Sequence, residues 1–291
     1  MTILLLGAAG NLGTAFTNCL KDKEGFTLVS WDKPDIDVTD EGLLLKKISD
    51  IRPDVIINSV AYNDVDACES KEEAADLARQ LNVELVANLA RAAVEVDARL
   101  VHFSSDYVFN GDSEQGYAED DEPSPQSVYA QSKRDGETEL ISLTGKGLRW
   151  YLVRTSKLFG PRGSSPAAKP SFFELMLKLA KRGEAVKIVS DERGSFTYTV
   201  DLAAAVMSLI EEECPSGIYH LVNSGEASWF EAAEYFFNKL GLKVETSAVA
   251  ASDFPRPASR PKHSLLLNTK RPALRNWQAA LDDYISNYKI S

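Results

Sequence analysis

Cysteine and histidine are scarce in this 291-residue chain, which contains three of each. The cysteines are few, odd in number and far apart, and no histidine lies near a cysteine pair, so the spacing of metal ligands is missing. A zinc site is therefore not expected, and the ordinary state of such cysteines is a free, buried thiol. The three are Cys19, Cys68 and Cys214.

An excess of positive charge is also missing. The chain has 32 Lys and Arg residues against 43 Asp and Glu residues, which gives a net charge of −11. Nucleic-acid binding needs a basic surface that neutralises phosphates, so no nucleic-acid partner is expected. A small anionic ligand is still allowed, because it needs only a local positive site.

Long hydrophobic runs are absent as well. No run approaches the length of a membrane span, and the apolar start lacks the basic residues of a signal peptide and reaches glycine too early. No membrane partner is expected, and the cytoplasm is the default location. The apolar content of 44% is ordinary for a soluble globular protein with one large domain or two linked lobes.

The first half of the chain alternates short apolar runs with helical patterns. This alternation predicts an α/β fold with a Rossmann-type, doubly wound parallel sheet and helices on both faces. The strands are apolar throughout rather than alternating, which fits burial on both faces. The predicted strands are 2–6, 26–32, 54–59, 99–105 and 149–156, and the predicted helices are 11–22, about 40–50, 69–96 and 126–143.

The second half has a looser pattern. Residues 159–171 and 253–264 are rich in proline, with glycine and serine in the first, and predict two irregular loops. The first is long enough to suggest a function. Helices are predicted at about 172–183, 200–213 and 229–240, and a strand at 217–222.

Glycines recur directly between the first predicted strand and the first predicted helix. In that position they permit a tight turn and let the backbone approach a pyrophosphate, which the helix N-terminus attracts. The stretch therefore predicts a dinucleotide-binding turn. Its predicted contact residues are Gly7, Gly10, Asn11, Leu12 and Gly13.

Asp32 ends the second predicted strand, nineteen residues after Gly13. An acidic side chain there would accept hydrogen bonds from an adenosine ribose and repel the extra phosphate of NADP, so NADH is favoured over NADPH. The adjacent Lys33 would soften that repulsion. The alternative is an ordinary solvated aspartate at a strand end.

These patterns divide the chain into two parts. Residues 1–156 are expected to form the dinucleotide-binding domain, and about 197–222 are expected to join it. Residues 157–196 and 223–291 would form a smaller, loop-rich α/β lobe that binds substrate.

Two Tyr-x-x-x-Lys pairs occur, and context separates them. Tyr235 and Lys239 lie at the boundary of an apolar helical face, which is typical of core packing. Tyr129 and Lys133 begin a helix that follows a Pro-rich loop. Ser105 ends the fourth predicted strand, where open α/β sheets bind ligands, so Ser105, Tyr129 and Lys133 are the predicted proton-transfer set.

These residues support a family assignment. The chain resembles the extended short-chain dehydrogenase/reductases, and most closely the dTDP-4-dehydrorhamnose reductases, from end to end. Several long blocks in the same order are more specific than any single motif. The blocks are ILLLGAAGNLG, DIDVTD, RPDVIINSVAYNDVDACES, HFSSDYVFNG, YAEDDEPSPQSVYAQSKRDGE, LVRTSKLFG, GIYHLVNSGEASWFEAA and RPASRPKHSLLLNT.

The resemblance implies NAD(P)H-dependent reduction of the 4-keto group of a nucleotide-linked deoxysugar, of the dTDP-4-dehydro-L-rhamnose type. Ser105 replaces the family threonine and would hydrogen-bond the carbonyl, and Tyr129 would donate the proton. Lys133 would hold the nicotinamide ribose, and its ammonium is expected to lower the pKa of Tyr129. Some relatives use Mg²⁺, which nothing in the residues indicates here, and a monomer or homodimer is expected.

The remaining site residues also come from the resemblance. Those expected to line the cofactor are Asp37, Val38, Val60, Ala61, Tyr62, Phe103, Tyr129 and Lys133. Those expected on the substrate side are Ser105, Asp106, Lys157 and Arg260.

The chain departs from the family pattern on the substrate side. Lys157 stands where the family usually has tryptophan, and residues 63–67 also differ. These changes leave open another sugar-nucleotide ketoreductase or epimerase, or a non-catalytic homologue resembling the regulatory subunit of methionine adenosyltransferase. A dehydratase is disfavoured, because Tyr107 follows Asp106 where dehydratases have a second carboxylate.

Overall fold

The computed structural model describes residues 1–287, which contain fifteen strands and ten α-helices. The strands are β1 (Thr2–Leu6), β2 (Thr27–Trp31), β3 (Val55–Asn58), β4 (Arg99–Ser105), β5 (Arg149–Thr155), β6 (Leu158–Phe159), β7 (Val186–Val189), β8 (Arg193–Gly194), β9 (Thr197–Tyr198), β10 (Gly217–His220), β11 (Asn223–Ser224), β12 (Ala227–Ser228), β13 (Thr246–Val249), β14 (His263–Ser264) and β15 (Leu274–Asn276). The helices are α1 (Asn11–Leu20), α2 (Glu41–Ile51), α3 (Val65–Ser70), α4 (Glu72–Arg79), α5 (Leu85–Val96), α6 (Val128–Ile141), α7 (Phe172–Ala180), α8 (Thr199–Glu211), α9 (Trp229–Leu240) and α10 (Trp277–Asn287).

Six parallel strands form the large sheet, in the order β2-β1-β3-β4-β5-β10. Its central strands are buried because their residues are apolar on both faces. Side chains of α1 and α8 cover one face, and side chains of α2, α5 and α6 cover the other. This arrangement confirms the predicted Rossmann-type sheet. From β1 the chain adds β2 on one side and then β3 on the other, and this change of side opens a crevice at the carboxyl ends of β1 and β3.

The second lobe has its own apolar core, built from α7, α9, α10 and the short strands around them. Ser171 and Ser228 begin α7 and α9 with capping boxes, in which each serine pairs with a glutamate three residues later. Such caps satisfy the free N–H groups of a helix start. Between α7 and α9 the chain returns to the large sheet as α8 and β10, and it then re-enters the second lobe.

The second Tyr-x-x-x-Lys pair has a structural role, as predicted. Tyr235 Oη donates to Asp282 Oδ1 over 3.0 Å, and Lys239 Nζ donates to Asp282 Oδ2 over 2.6 Å. These bonds join α9 to α10.

Two expectations need correction. The predicted single helix over 69–96 is wrong, because Lys71 adopts an extended conformation between α3 and α4, and a π-helix over Gln80–Glu84 separates α4 from α5. All three cysteines are free, but only Cys68 is buried and the other two are half-buried. The strands of the second lobe and α10 were not predicted.

No helix within residues 1–287 has the length and hydropathy of a membrane span.

Candidate active site

The glycine turn after β1 fits a dinucleotide phosphate. Gly7 has a φ of 77°, which favours glycine, and a Cβ on Gly13 would lie 2.1 Å from the carbonyl oxygen of Gly7. Gly10 precedes α1 and supplies no side-chain cap. The first N–H groups of α1 therefore lack an intrahelical partner at the edge of the crevice, where they can bind an anion.

Asp32 lies beside this turn at the end of β2. Its carboxylate accepts hydrogen bonds from the amide nitrogens of Ala9 and Lys33, both over 2.8 Å. The Asp32 carboxylate thus stabilises the glycine turn through its bond with Ala9. Asp32 directly follows β2, which is the predicted position.

Asp37 and Val38 lie in the connection between β2 and α2. Asp37 accepts hydrogen bonds from the amide and hydroxyl groups of Thr39, which lower the pKa of its carboxyl group. Val38 packs against the apolar core under α2. The Asp37 carboxylate is therefore hydrogen-bonded within its own loop, and the Val38 side chain is packed against the core.

The segment after β3 is held by Asn82, which the sequence did not single out. The Asn82 amide accepts from the Tyr62 amide nitrogen and donates to the Tyr62 carbonyl oxygen, both over 3.0 Å. It also donates to Ser132 Oγ of α6 over 2.9 Å. Because Asn82 lies in the π-helix, this irregular turn fixes residues 60–62 against the helix that carries Tyr129.

Ser105 and Tyr129 meet at the carboxyl end of β4. The Ser105 hydroxyl donates to Asp106 Oδ1 over 3.0 Å and accepts from the amide nitrogen of Tyr107 over 3.2 Å. The ring of Tyr129 packs edge-on against the ring of Tyr107, with 6.0 Å between their centroids. The two predicted catalytic residues therefore lie at the same end of β4.

Lys133 lies one helical turn after Tyr129, and both side chains are buried. Its Nζ donates to the carbonyl oxygen of Phe103 over 2.7 Å. Burial lowers the pKa of Lys133 to about 8, and the carboxylate of Glu137 partly opposes this. The structure thus brings Ser105, Tyr129, Lys133 and Phe103 to one end of β4.

The helix that carries this set is anchored by a buried ion pair. Arg154 of β5 donates from Nε and Nη2 to the two carboxylate oxygens of Glu137, over 2.9 and 2.8 Å. Both side chains are almost fully buried. At its start, α6 is capped by Ser127, which accepts from the amide nitrogen of Ala130.

The pKa of Tyr129 departs from the sequence-based expectation. Burial raises the pKa of the phenol above its ordinary value; the nearby hydroxyl of Ser105 lowers the pKa in part, and the charge of Asp106 raises it further. The expected lowering by Lys133 is therefore wrong for this structure. Desolvation has the largest effect on the phenol, and the Lys133 ammonium makes its hydrogen bond to the Phe103 carbonyl oxygen instead.

Besides Ser105, the candidate substrate residues are Asp106, Lys157 and Arg260. Asp106 is 2% exposed, and the ammonium of Lys157 lies over the rings of Phe196 and Trp229. The Arg260 guanidinium donates to both carboxylate oxygens of Asp66 in α3, over 2.9 and 2.7 Å. Arg260 therefore joins the second lobe to the large-sheet domain.

Residues 160–171, here called the crossing loop, lie on the glycine turn. Asn11 Oδ1 accepts from the amide nitrogen of Gly163 over 2.8 Å, and Asn11 Nδ2 donates to the carbonyl oxygen of Lys169 over 2.9 Å. A Cβ on Gly163 would lie 2.2 Å from the carbonyl oxygen of Ala9, so only glycine permits this approach. The predicted functional loop is thus tied to the predicted cofactor turn.

Acidic, cysteine and histidine side chains do not gather into a metal site in the described part of the chain. No group of three or more of them is arranged to hold an ion there.

Fold and site together define a Rossmann-type oxidoreductase. The family model described as the RmlD substrate binding domain matches residues 1–290, and the chain belongs to this family. It is 36% identical over 289 residues to the spore coat polysaccharide biosynthesis protein SpsK of Bacillus subtilis strain 168, covering 97% of this chain and 96% of that protein.

Two solved structures are similar along nearly the whole chain. A dTDP-4-dehydrorhamnose reductase from Clostridium acetobutylicum has a TM-score of 0.91 and 35% identity, with 99% of this chain and 100% of that chain covered. A dTDP-4-dehydrorhamnose reductase from Bacillus anthracis in complex with NADP has a TM-score of 0.91 and 32% identity, with 98% and 99% covered. The predicted family and the oxidoreductase class are confirmed.

Proposed function

We propose that this protein reduces the 4-keto group of a nucleotide-linked deoxysugar, of the dTDP-4-dehydro-L-rhamnose type, with NADH or NADPH. The observation that carries the proposal is that one helix bears buried Tyr129 and Lys133 at the end of β4, where Lys133 Nζ donates to the Phe103 carbonyl oxygen and Ser105 is the last residue of the strand. This set lies at the carboxyl edge of a doubly wound sheet, where such folds bind ligands. The names of the relatives support the same chemistry.

The cofactor would lie along the crevice between β1 and β3. The glycine turn would hold its pyrophosphate, Asp32 its adenosine ribose, and residues 60–62 with Phe103 its nicotinamide half. Bound NADH or NADPH supplies a hydride for the ketone carbon. We infer a preference for NADH, because the Asp32 carboxylate would repel a 2′-phosphate.

Tyr129 would supply the proton. Its raised pKa keeps the phenol protonated at neutral pH, so the proton is present when the ketone oxygen becomes an alkoxide. An alkoxide is a stronger base than a phenolate, and the transfer is therefore downhill. The hydroxyl of Ser105 lies beside the phenol and would orient the same oxygen.

Lys133 would act on the cofactor rather than on the ketone. With a pKa of about 8 its amine is largely charged at neutral pH. An ammonium has three donors, of which the carbonyl oxygen of Phe103 takes one. The other two can bind ribose hydroxyls.

The two lobes would bind different molecules. Residues 1–156 with about 197–222 would bind the cofactor, and residues 157–196 and 223–291 would bind the sugar nucleotide. The last four of these, 288–291, lie outside the described residues. The loop that carries Arg260 and the crossing loop both join the lobes beside the crevice.

A turnover assay tests the proposal. The purified protein is mixed with dTDP-4-dehydro-L-rhamnose, generated in place, and the absorbance of NADH or NADPH is followed. Loss of absorbance with formation of dTDP-L-rhamnose is expected. No turnover with either cofactor would exclude this reaction, and isomerisation of a UDP-sugar without net oxidation would favour an epimerase.

A further inference from the structure

His102 is a buried histidine to which the proposed reaction assigns no role. It lies in β4 and stands opposite Asn58, the last residue of β3, in the parallel pairing of the two strands. Both side chains are fully buried. Buried polar side chains need hydrogen-bond partners, so the bonds of this pair show what the pair does in the fold.

The two side chains bond to each other. Asn58 Nδ2 lies 3.2 Å from His102 Nδ1, and Asn58 Oδ1 accepts from the amide nitrogen of Val60 over 3.1 Å. Because the side-chain oxygen of Asn58 faces the N–H group of Val60, its NH₂ group must face the imidazole. Asn58 is therefore the donor in this pair, and His102 Nδ1 is the acceptor.

This arrangement requires a neutral imidazole that carries its proton on Nε2. A protonated ring would turn an N–H group toward the NH₂ group of Asn58 and break the bond. Burial, and then the charge of Lys133, hold the pKa of His102 well below its ordinary value, so the ring is neutral at neutral pH. Nε2 is shielded from solvent and has no hydrogen-bond partner among residues 1–287, which leaves the bond to Asn58 to orient the ring.

The Val60 amide begins residues 60–62, here called the cofactor segment, which are proposed to line the nicotinamide half of the cofactor. Tyr62, at the other end of the segment, is bonded through its amide and carbonyl groups to Asn82. Ala61 between them is exposed. The cofactor segment is therefore fixed at each end by a buried side-chain amide, and its Val60 end depends on the orientation of Asn58.

The strand that carries His102 also holds the proposed catalytic set. The carbonyl oxygen of Phe103, the next residue, accepts from Lys133 Nζ over 2.7 Å, and Ser105 ends the strand. β4 thus contacts the cofactor segment through His102 and the catalytic helix through Phe103. Reacting groups displaced by about 1 Å can lose about a hundredfold in rate, so a small shift of the segment has a measurable effect.

We propose that His102 is a positioning residue, whose Nδ1 orients Asn58 and thereby fixes the cofactor segment. This places the nicotinamide relative to Tyr129 and Lys133 of α6. The proposal rests on the proposed function in assigning the nicotinamide to this segment. His102 acts through Asn58, and because its ring is buried it touches neither cofactor nor substrate.

The kinetic test compares His102→Met, which removes the acceptor, with His102→Gln, whose side-chain oxygen can accept from Asn58. The kcat of ketone reduction and the Kd of NADH are measured for both variants and for the unaltered protein. His102→Met should lower kcat about tenfold or more, and change Kd less than about twofold because the glycine turn and Asp32 are untouched. His102→Gln should keep kcat within about threefold of the unaltered protein. An unchanged kcat in His102→Met, or an equal loss in both variants, would overturn the proposal.

The tautomer of His102 is read in the unaltered protein and needs no turnover. The chain has three histidines, so ¹⁵N-labelled imidazoles give few NMR signals, and His102→Gln identifies the signals of His102. The expected spectrum is that of a neutral ring with a bare Nδ1 and a proton on Nε2. A proton on Nδ1 at neutral pH would overturn the proposal.

Hydrogen exchange tests the link to the cofactor segment without turnover as well. The Val60 amide should exchange about tenfold faster or more in His102→Met than in the unaltered protein, and at the original rate in His102→Gln. The amide of Leu43, which Asp40 caps in α2, is the control. Unchanged Val60 exchange in His102→Met would contradict the proposal even in an active reductase. Absence of reductase activity would instead refute the proposed function, while the exchange rates still test the link. His102→Leu replaces His102→Met if the latter does not fold.

Discussion

Lys169 Nζ lies 2.8 Å from Asp64 Oδ2, an ion pair that joins the crossing loop to the segment after β3. The crossing loop is also bonded to Asn11 at the start of α1, through the amide nitrogen of Gly163 and the carbonyl oxygen of Lys169. The loop therefore spans the crevice between β1 and β3 and covers the predicted path of the cofactor.

Breaking this pair should speed cofactor release. Both side chains are about half exposed, so the pair is worth at most about 1 kcal/mol, and Lys169→Ala or Asp64→Asn should accelerate NADH dissociation roughly two- to fivefold. Stopped-flow fluorescence measures the rate. Lys178→Ala, on the exposed side of α7, is the control and should leave it unchanged. Equal rates in all variants would show that the crossing loop does not retain the cofactor.

The buried Glu137–Arg154 pair should govern the stability of the domain that carries the site. Glu137→Gln leaves Arg154 as an uncompensated buried charge, which costs about 3–5 kcal/mol of the free energy of unfolding. Urea denaturation measures this loss. Glu139→Gln, exposed on the same helix, should cost less than about 0.5 kcal/mol. Similar stabilities for the two variants would contradict the anchoring role.

Asp32 should set the choice between the two nicotinamide cofactors. The unaltered protein is expected to have a higher kcat/KM with NADH than with NADPH, and Asp32→Asn should reduce this ratio roughly tenfold, equivalent to about 1.4 kcal/mol. Steady-state kinetics with both cofactors measure it. Asp50→Asn, at the exposed end of α2, controls for net charge. An unchanged ratio in Asp32→Asn would mean that the carboxylate does not face the ribose.

The large sheet could be predicted from the sequence because its strands are apolar runs between helical patterns. The predicted strand at 26–32 corresponds to Thr27–Trp31, and Ser105 does end β4. Since parallel strands bring their carboxyl ends to one edge, the glycine turn and Ser105 could be placed together from local signals alone.

The second lobe and the electrostatics could not be predicted in the same way. Strands of two to four residues are too short to show periodicity, and Val186–Val189 pairs with the distant Thr246–Val249. The burial that raises the pKa of Tyr129 comes from residues distant in sequence. By contrast, α10 carries buried residues at helical spacing, so its signal was present in the sequence. They are Trp277, Ala280, Leu281 and Tyr284.

The assignment of Tyr129 as proton donor is tested most directly by Tyr129→Phe, with Tyr235→Phe in the other Tyr-x-x-x-Lys pair as the matched control. Turnover of dTDP-4-dehydro-L-rhamnose and the dissociation constant of the cofactor are measured for both variants. Tyr129→Phe should abolish turnover and bind the cofactor nearly as well as the unaltered protein, while Tyr235→Phe should keep its activity. If Tyr129→Phe retained more than about a tenth of kcat, only about 1.4 kcal/mol of the barrier would depend on the phenol, which would contradict its role as proton donor.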